Sequence, residues 1–263
     1  MKVHHLNCGT MRPWGAPEGI VCHVLLIETD IALVLCDTGV GLLDRADPAQ
    51  RLGPARHLMR PALDEPETAL RQVESMGFDP KDVRDILLTH CDSDHVGGLA
   101  DFPWARVHLT HAEANATLHP ATRIEKARYR AAQRAHGPQL VRHTPARSER
   151  WHGFEAAGEL AEVAPGIVLI SLPGHTRGHA AVAVDAGRRW VLHAGDAFYH
   201  RGQIDGTGKV PRSLLMMERA VAHDWHKVEA NHQRLAELWQ SGEPNLMLVN
   251  AHDPALLAAA QDG

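Results

Sequence analysis

The 263-residue chain is predicted to fold as an α/β protein, with two β-sheets packed together and helices outside, in a single domain. Three observations predict this. Short apolar runs of strand length alternate with segments of helical periodicity. The hydrophobic content of 44% suffices for one large core. Both halves of the chain place His and Asp residues at the ends of buried strands.

The elements follow in order. Val21–Glu28 and Ile31–Cys36 read as strands flanking Thr29-Asp30, a hairpin turn, and Asp37-Thr38-Gly39 ends the second. Leu43 to Pro66, rich in Pro, Arg and Asp, reads as loop. Pro66 to Gly77 reads as a helix: Pro66 suits a first turn, Leu70, Val73 and Met76 share a face, and Gly77 is a stop. Asp85 to Thr89 is an apolar strand and Val107-His108-Leu109 a short one. From Ala112 to about Ala135 the pattern is helical but weakly amphipathic, part of a helical insert expected over about 111–154. Strands resume at Ile167–Ile170, Ala180–Val184 and Trp190–Leu192. One long helix is expected from Glu218 to Trp239, ended by Ser241-Gly242, before a last strand, Leu246–Val249.

The formal net charge is -5, and no basic stripe is present, which argues against a nucleic-acid partner. The Arg-rich piece from Arg123 to Arg150 also holds Glu125 and Glu149, with Ala and Tyr between the charges, and reads as a solvated helix face. Four cysteines without C-x-x-C spacing point to a reduced, cytoplasmic protein. The N-terminus lacks the apolar core of a signal peptide. No run approaches the roughly 18 apolar residues of a membrane span. A small molecule is therefore the expected partner; a homodimer is compatible with the sequence.

His90-Cys91-Asp92-Ser93-Asp94-His95 carries the chemistry. Four metal-competent side chains leave the strand 85–89 and run into Gly97-Gly98. His175, Asp196 and His252 follow at wide spacing, each after an apolar run. Imidazole and carboxylate suit zinc, iron and manganese, and the lack of Cys pairs argues against a structural zinc knuckle. Seven ligands are too many for one tetrahedral ion but suit two ions bridged by a carboxylate. Cys91 lies between ligands on the opposite side of the alternation and reads as packing.

Thr89-His90-Cys91-Asp92-Ser93-Asp94-His95-Val96-Gly97-Gly98, with His175, Asp196 and His252, resembles the metallo-β-lactamase superfamily, whose first motif is H-x-H-x-D-H. Asp37-Thr38-Gly39 resembles an early motif of many members, so the resemblance covers about residues 20 to 253. It implies a four-layer αββα sandwich with a dinuclear site between the sheets at one edge. By the same resemblance His90, Asp92 and His175 hold one ion, Asp94, His95 and His252 the other, and Asp196 bridges. Asp94 in the family also handles a proton. Two divalent ions are implied, zinc first and iron or manganese as alternatives.

Asp92 departs from the pattern, because the usual residue there is His. Three carboxylates and a bridging hydroxide would then offset two divalent ions completely, making the ions poorer Lewis acids. Flavodiiron oxidoreductases of the superfamily also place a carboxylate there, which keeps a diiron redox protein open as an alternative. Tyr199 lies three residues after Asp196, an offset that resembles quorum-quenching N-acyl-homoserine lactonases, where a Tyr contacts the substrate. The implied function is a metal-dependent hydrolase that uses a metal-bridging hydroxide on a small ester or lactone, acyl-homoserine lactone among the candidates. By the same resemblance Asp94 and Tyr199 would be the catalytic residues, with thioesters or phosphoesters as the alternative substrates. His179, His193 and His200 are candidates for backing the ligands, and Tyr129, His136-Gly137-Pro138 and Trp151 for lining a pocket.

Overall fold

Strand residues alternate between two separate apolar clusters, and this alternation builds the layers. In the computed structural model, which describes residues 1–14, 16 and 18–263, β1 (Lys2–Asn7), β2 (His23–Glu28), β3 (Leu33–Cys36), β4 (Val83–Leu87), β5 (Arg106–Thr110) and β6 (Gln139–His143) form one six-stranded sheet in that order. β7 (Arg150–Trp151) and β8 (Phe154–Glu155) pair as a small hairpin. β9 (Ala157–Glu159), β10 (Ile167–Ser171), β11 (Ala180–Asp185), β12 (Trp190–His193) and β13 (Leu246–Val249) form the second sheet, in the order β13-β12-β11-β10-β9.

Leu25, Ile27, Val34 and Cys36 of the first sheet meet Leu169, Val182, Val184 and Val191 of the second between the sheets. Their neighbours Leu26, Leu35 and Ile86 point the other way, onto Val73 and Ala114 of the helices Ala69–Ser75 and His111–Leu118. Ile170, Ala183 and Leu192 likewise point outward onto Leu235 and Leu238 of the helix Trp225–Gln240. The apolar runs are unbroken because both faces of each strand are buried, each large side chain contributing about 1.5–3 kcal/mol. The result is a four-layer αββα sandwich.

β3, β4, β5 and β6 run parallel, and so do β12 and β13. Asp37 follows β3, Thr89 and His90 follow β4, Asp196 follows β12 and His252 follows β13. Four loops therefore converge at the C-terminal ends of parallel strands.

Several elements differ from the sequence expectation. Lys2–Asn7 pairs antiparallel with β2 although its half-exposed sequence shows little apolar pattern. The stretch 43–66 contains three short helices, Leu42–Ala46, Pro48–Arg51 and Ala55–Met59. The insert is helical only at first, over His111–Leu118 and Arg123–Arg128; Gln139–His143 instead extends the sheet. The long C-terminal helix is two, Arg212–Val221 and Trp225–Gln240, because Ala222 is extended and the Asp224 carboxylate caps the second by accepting from Lys227 N. Among the described residues no helix is long and apolar enough to cross a membrane.

A buried ion pair supports the ligand turn from behind. Arg51 donates to Asp44 at 2.8 Å and to the Gly97 carbonyl at 3.0 Å, and Gln133 donates to Asp44 at 3.0 Å. A Cβ on Gly97 would lie 2.0 Å from Asp44 Oδ2 and 2.7 Å from the Gly39 carbonyl. Gly97→Ala is therefore expected to cost about 1–3 kcal/mol, read as a lowered urea midpoint; an unchanged midpoint would refute this close packing.

Candidate metal centre

The turn after β4 delivers the first candidate ligands. Asp92, in extended conformation, is the N-cap of the one-turn helix Ser93–Val96, which carries Asp94 and His95. His175 lies in the loop between β10 and β11, and all seven predicted side chains converge on one region. Six of them are buried, while Asp92 is partly exposed.

Their ligand atoms outline two tetrahedra that share Asp196. Around the first, Asp92 Oδ2 lies 3.6 Å from His90 Nε2 and 3.1 Å from His175 Nε2. Asp196 Oδ2 lies 3.8 and 3.4 Å from the same two nitrogens. Around the second, Asp94 Oδ2 lies 3.8 Å from His95 Nε2 and 3.6 Å from His252 Nε2, and Asp196 Oδ1 is 3.2 Å from both. Ligands bound at zinc distances in a tetrahedron sit about 3.3 Å apart, so both groups fit a cation. The buried atoms His90 Nε2, His95 Nε2, Asp92 Oδ1 and Asp196 Oδ1 have no hydrogen-bond partner within the protein. Leaving such atoms unmatched is costly, and a cation between them would satisfy the set.

The outer nitrogens are held by the fold. Asp37 Oδ2 accepts from His95 Nδ1 at 2.8 Å and from the Thr89 hydroxyl at 2.7 Å, while Asp37 Oδ1 accepts from Thr89 N at 2.8 Å. Thr89 Oγ1 is itself 3.0 Å from His90 Nδ1, so one carboxylate orients two ligands. Asp37 adopts φ 60°, a left-handed conformation unusual outside glycine. His252 Nδ1 donates to the Val21 carbonyl at 2.8 Å. His179 Nδ1 donates to the Leu172 carbonyl at 3.0 Å, and its Nε2 accepts from Asp196 N at 2.9 Å. His193 uses the same pattern, its Nε2 on the His23 carbonyl and its Nδ1 accepting from Gly195 N. His200 caps a local turn by accepting from Gly202 N.

Two residues escaped the sequence analysis. Glu113 is buried in the helix His111–Leu118. Its Oε1 accepts from Cys91 N at 2.9 Å and from the Tyr129 hydroxyl at 3.1 Å. Its Oε2 accepts from the Thr176 hydroxyl at 2.7 Å and from Gly178 N at 3.1 Å. Glu113 thus ties the His90 turn to the His175 loop. Arg128 is the second, and it corrects the reading of its segment as a solvated face: its side chain is only 8% exposed. Arg128 donates through one nitrogen to Asp92 Oδ2 at 2.7 Å and to His175 Nε2 at 2.8 Å, and through another to the Val221 carbonyl. Ile124, one turn earlier on the same helix face, borders the same cavity but is itself 53% exposed, so the spacing gives no signal of Arg128's burial. Cys91 packs in the core, as expected. Tyr129 is committed to Glu113 and Trp151 packs edge-to-face against Trp190, so neither faces the ligands.

Burial and neighbouring charges set the protonation of the metal-free centre. Burial lowers the His175 pKa to about 4, with Arg128 adding to the effect, so the ring is neutral and its Nε2 accepts from Arg128. Burial opposes protonation of His252, yet Asp196 and Asp94 raise it to about 9. Burial likewise opposes protonation of His95, but Asp196, Asp37 and Asp94 hold it well above the usual value. Burial, then Asp196 and Glu218, push the Tyr199 hydroxyl well above its ordinary range, which keeps it a proton donor. The Tyr199 ring lies 5.9 Å from that of His175 and 5.2 Å from that of His252.

A sandwich of this layering, with His and Asp donors gathered at the ends of its parallel strands, defines a metal-dependent hydrolase. Residues 18–238 match the model of the metallo-beta-lactamase superfamily, and the chain belongs to that superfamily. It is 52% identical over 262 residues to a probable metallo-hydrolase of Mycobacterium tuberculosis, covering 100% of this chain and 83% of the relative. An N-acyl homoserine lactonase of Agrobacterium fabrum is 28% identical over 102 residues, 39% of this chain and 38% of the relative. In fold, the chain is similar to an N-acyl homoserine lactone hydrolase solved with the product N-hexanoyl-L-homoserine at its catalytic metal center. That TM-score is 0.68 at 18% identity, covering 98% of this chain and 95% of the other. A Bacillus thuringiensis protein with N-decanoyl-L-homoserine bound superposes at a TM-score of 0.69 and 17% identity, with the same coverage.

The protonated histidines give the metal-free protein a pH signature. His252, raised from 6.5 to about 9, stabilises the fold fully below pH 6.5 and loses that contribution as pH rises through about 9. His95 acts in the same direction. The melting temperature of metal-free protein should therefore fall between about pH 6.5 and 8.5, before unfolded cysteines ionise, whereas zinc-loaded protein should not show this fall. A flat metal-free profile would remove the basis for charged His95 and His252.

Proposed function

We propose that the chain is a dinuclear metal-dependent hydrolase of a small ester or lactone with an apolar acyl part, N-acyl homoserine lactone being one candidate. The observation that carries this reading is an apolar cavity of about 310 Å³ that opens on Asp94, Asp196, Tyr199 and His252. Met11, Ile20, Leu52, Leu58 and Ile124 form its apolar walls. A second, more polar cavity of about 420 Å³ borders the other side of Tyr199 and His252, with Arg201 and Lys209 in its lining. An acyl chain suits the first cavity, whereas in the second the charges are balanced, with Arg201 paired to Asp253 at 2.8 Å and Glu18 in the same lining.

His90, Asp92 and His175 would hold one cation, Asp94, His95 and His252 the other, with Asp196 between them. Zinc is the first candidate by ligand type, with iron or manganese as alternatives. When bound, the two cations supply Lewis acidity and activate water at neutral pH. The protein's own groups do the rest. The apolar walls fix the acyl chain and exclude bulk water. Tyr199, kept protonated by burial and by Asp196, donates a hydrogen bond to the ester oxygen as negative charge develops there. Asp94, bordering the cavity at the mouth of the second group, takes up a proton and returns it to the departing alkoxide. His179 and Asp37 hold their partners in register throughout.

Asp94→Ala should lower kcat by about 10²–10⁴-fold with the fold intact. Tyr199→Phe should lower it by about 10²-fold with little change in metal content. Wild-type turnover in either variant would refute that assignment. Across lactones and aryl esters of increasing acyl length, kcat/KM should rise about fourfold per methylene until the cavity is full, at about 0.8 kcal/mol per methylene buried. Thioesters and phosphodiesters belong in the same screen. Indifference to acyl length, or a preference for phosphodiesters, would sink the acyl-pocket reading.

A further inference from the structure

Arg128 has no role in the two-cation scheme, yet it is the most deeply placed cation beside the ligands. Burying a guanidinium costs several kcal/mol unless a carboxylate compensates it. Among the described residues the carboxylate within ion-pair distance of Arg128 is Asp92, at 2.7 Å. Asp92 is also the one ligand that departs from the usual H-x-H-x-D-H pattern. Arg128 holds Asp92 Oδ2, which is also the oxygen nearest His90 and His175, while Oδ1 is buried without a partner, so the carboxylate has one oxygen to offer each of two cations. The contact between Arg128 and His175 Nε2, at 2.8 Å, uses that nitrogen's single lone pair and must give way when the ligand engages a cation.

The charge count changes accordingly. With His at position 92 the centre would carry one carboxylate fewer. With Asp92 alone it would be fully neutralised. Adding the Arg128 charge at hydrogen-bond distance restores the balance of the usual centre. We infer that Arg128 is the charge-balancing partner of Asp92, so that the Asp92–Arg128 pair takes the place of a neutral imidazole at the metal centre. The inference rests on the metal-centre reading given above. On this inference the centre keeps the Lewis acidity that Asp92 alone would reduce.

A double-mutant cycle tests it. Zinc stoichiometry and affinity are measured by chelator competition at fixed pH and salt for the wild type, Asp92→His, Arg128→Met and the double variant. Far-UV circular dichroism and melting of the metal-free forms check folding. Asp92→His alone leaves a buried cation beside two metal ions and should weaken zinc binding by tenfold or more. Arg128→Met alone removes that repulsion and should leave binding as tight as wild type or tighter. The double variant should return to within a few-fold of wild type, and Asp92→His combined with Arg128→Lys should stay weak, because the charge remains. If Asp92→His weakens zinc binding equally with Arg128 present or replaced, the pair is uncoupled and the inference is overturned. A wild type that binds fewer than two zinc ions overturns the metal-centre reading itself, whereas two tightly bound ions without coupling overturn only the pairing.

Discussion

The Asp37 carboxylate holds the centre together. It sits just past β3, accepts from the backbone and hydroxyl of Thr89 just past the parallel neighbour β4, and accepts from His95 on the helical turn beyond. Both sheet strands and two ligands therefore take their positions from one buried anion. The left-handed backbone at Asp37 turns the chain so that the side chain can reach across. Such strain persists only where surrounding bonds over-determine it, and here three hydrogen bonds do so. Glu113 plays the matching part on the other flank, where it joins the backbone of Cys91 to the loop carrying His175.

Concentrating carboxylates in a low-dielectric pocket is costly without compensation. Four surround the ligand set: Asp37, Asp92, Asp94 and Asp196. Burial raises the Asp196 pKa, but His252, His95, His90 and His175 hold it well below the usual range. Burial likewise raises that of Asp92, but Arg128 and His90 hold it well below. The metal-free fold thus meets its negative charge with two protonated imidazoles and a guanidinium. Cations would take over from the imidazoles, and the protons would leave.

Much of this was legible in the sequence, for a physical reason. A strand that ends in ligands writes both the strand and the chemistry into neighbouring residues, as in Leu88-Thr89-His90 or Val249-Asn250-Ala251-His252. The layers were legible because runs buried on both faces leave no polar alternation. What stayed hidden depends on tertiary partners. Arg128 and Glu113 lie on short helices whose local composition resembles a surface. Their partners, Asp92 and Thr176, are 36 and 63 residues away in sequence. The two-helix break at residues 222–224 was equally invisible, because helical spacing continues across it and only the Asp224 cap and its tertiary bonds enforce the interruption.

That break has a further consequence. Its amides at His223 and Asp224 donate to the carbonyls of His175 and Gly174, and Arg128 grips the last carbonyl of the preceding helix at Val221. The helix that walls the apolar cavity is thereby bolted, at its C-terminal end, to the loop of one candidate ligand, His175, and to the partner of another, Asp92. On the proposed function, substrate preference and metal retention are then not separate design variables. A laboratory lineage that reshapes the cavity through Met217, Ala220 or Val221 will meet a trade-off in ion binding before the chemistry itself is touched. Compensating changes should be sought at Arg128 and around His175 rather than in the cavity walls.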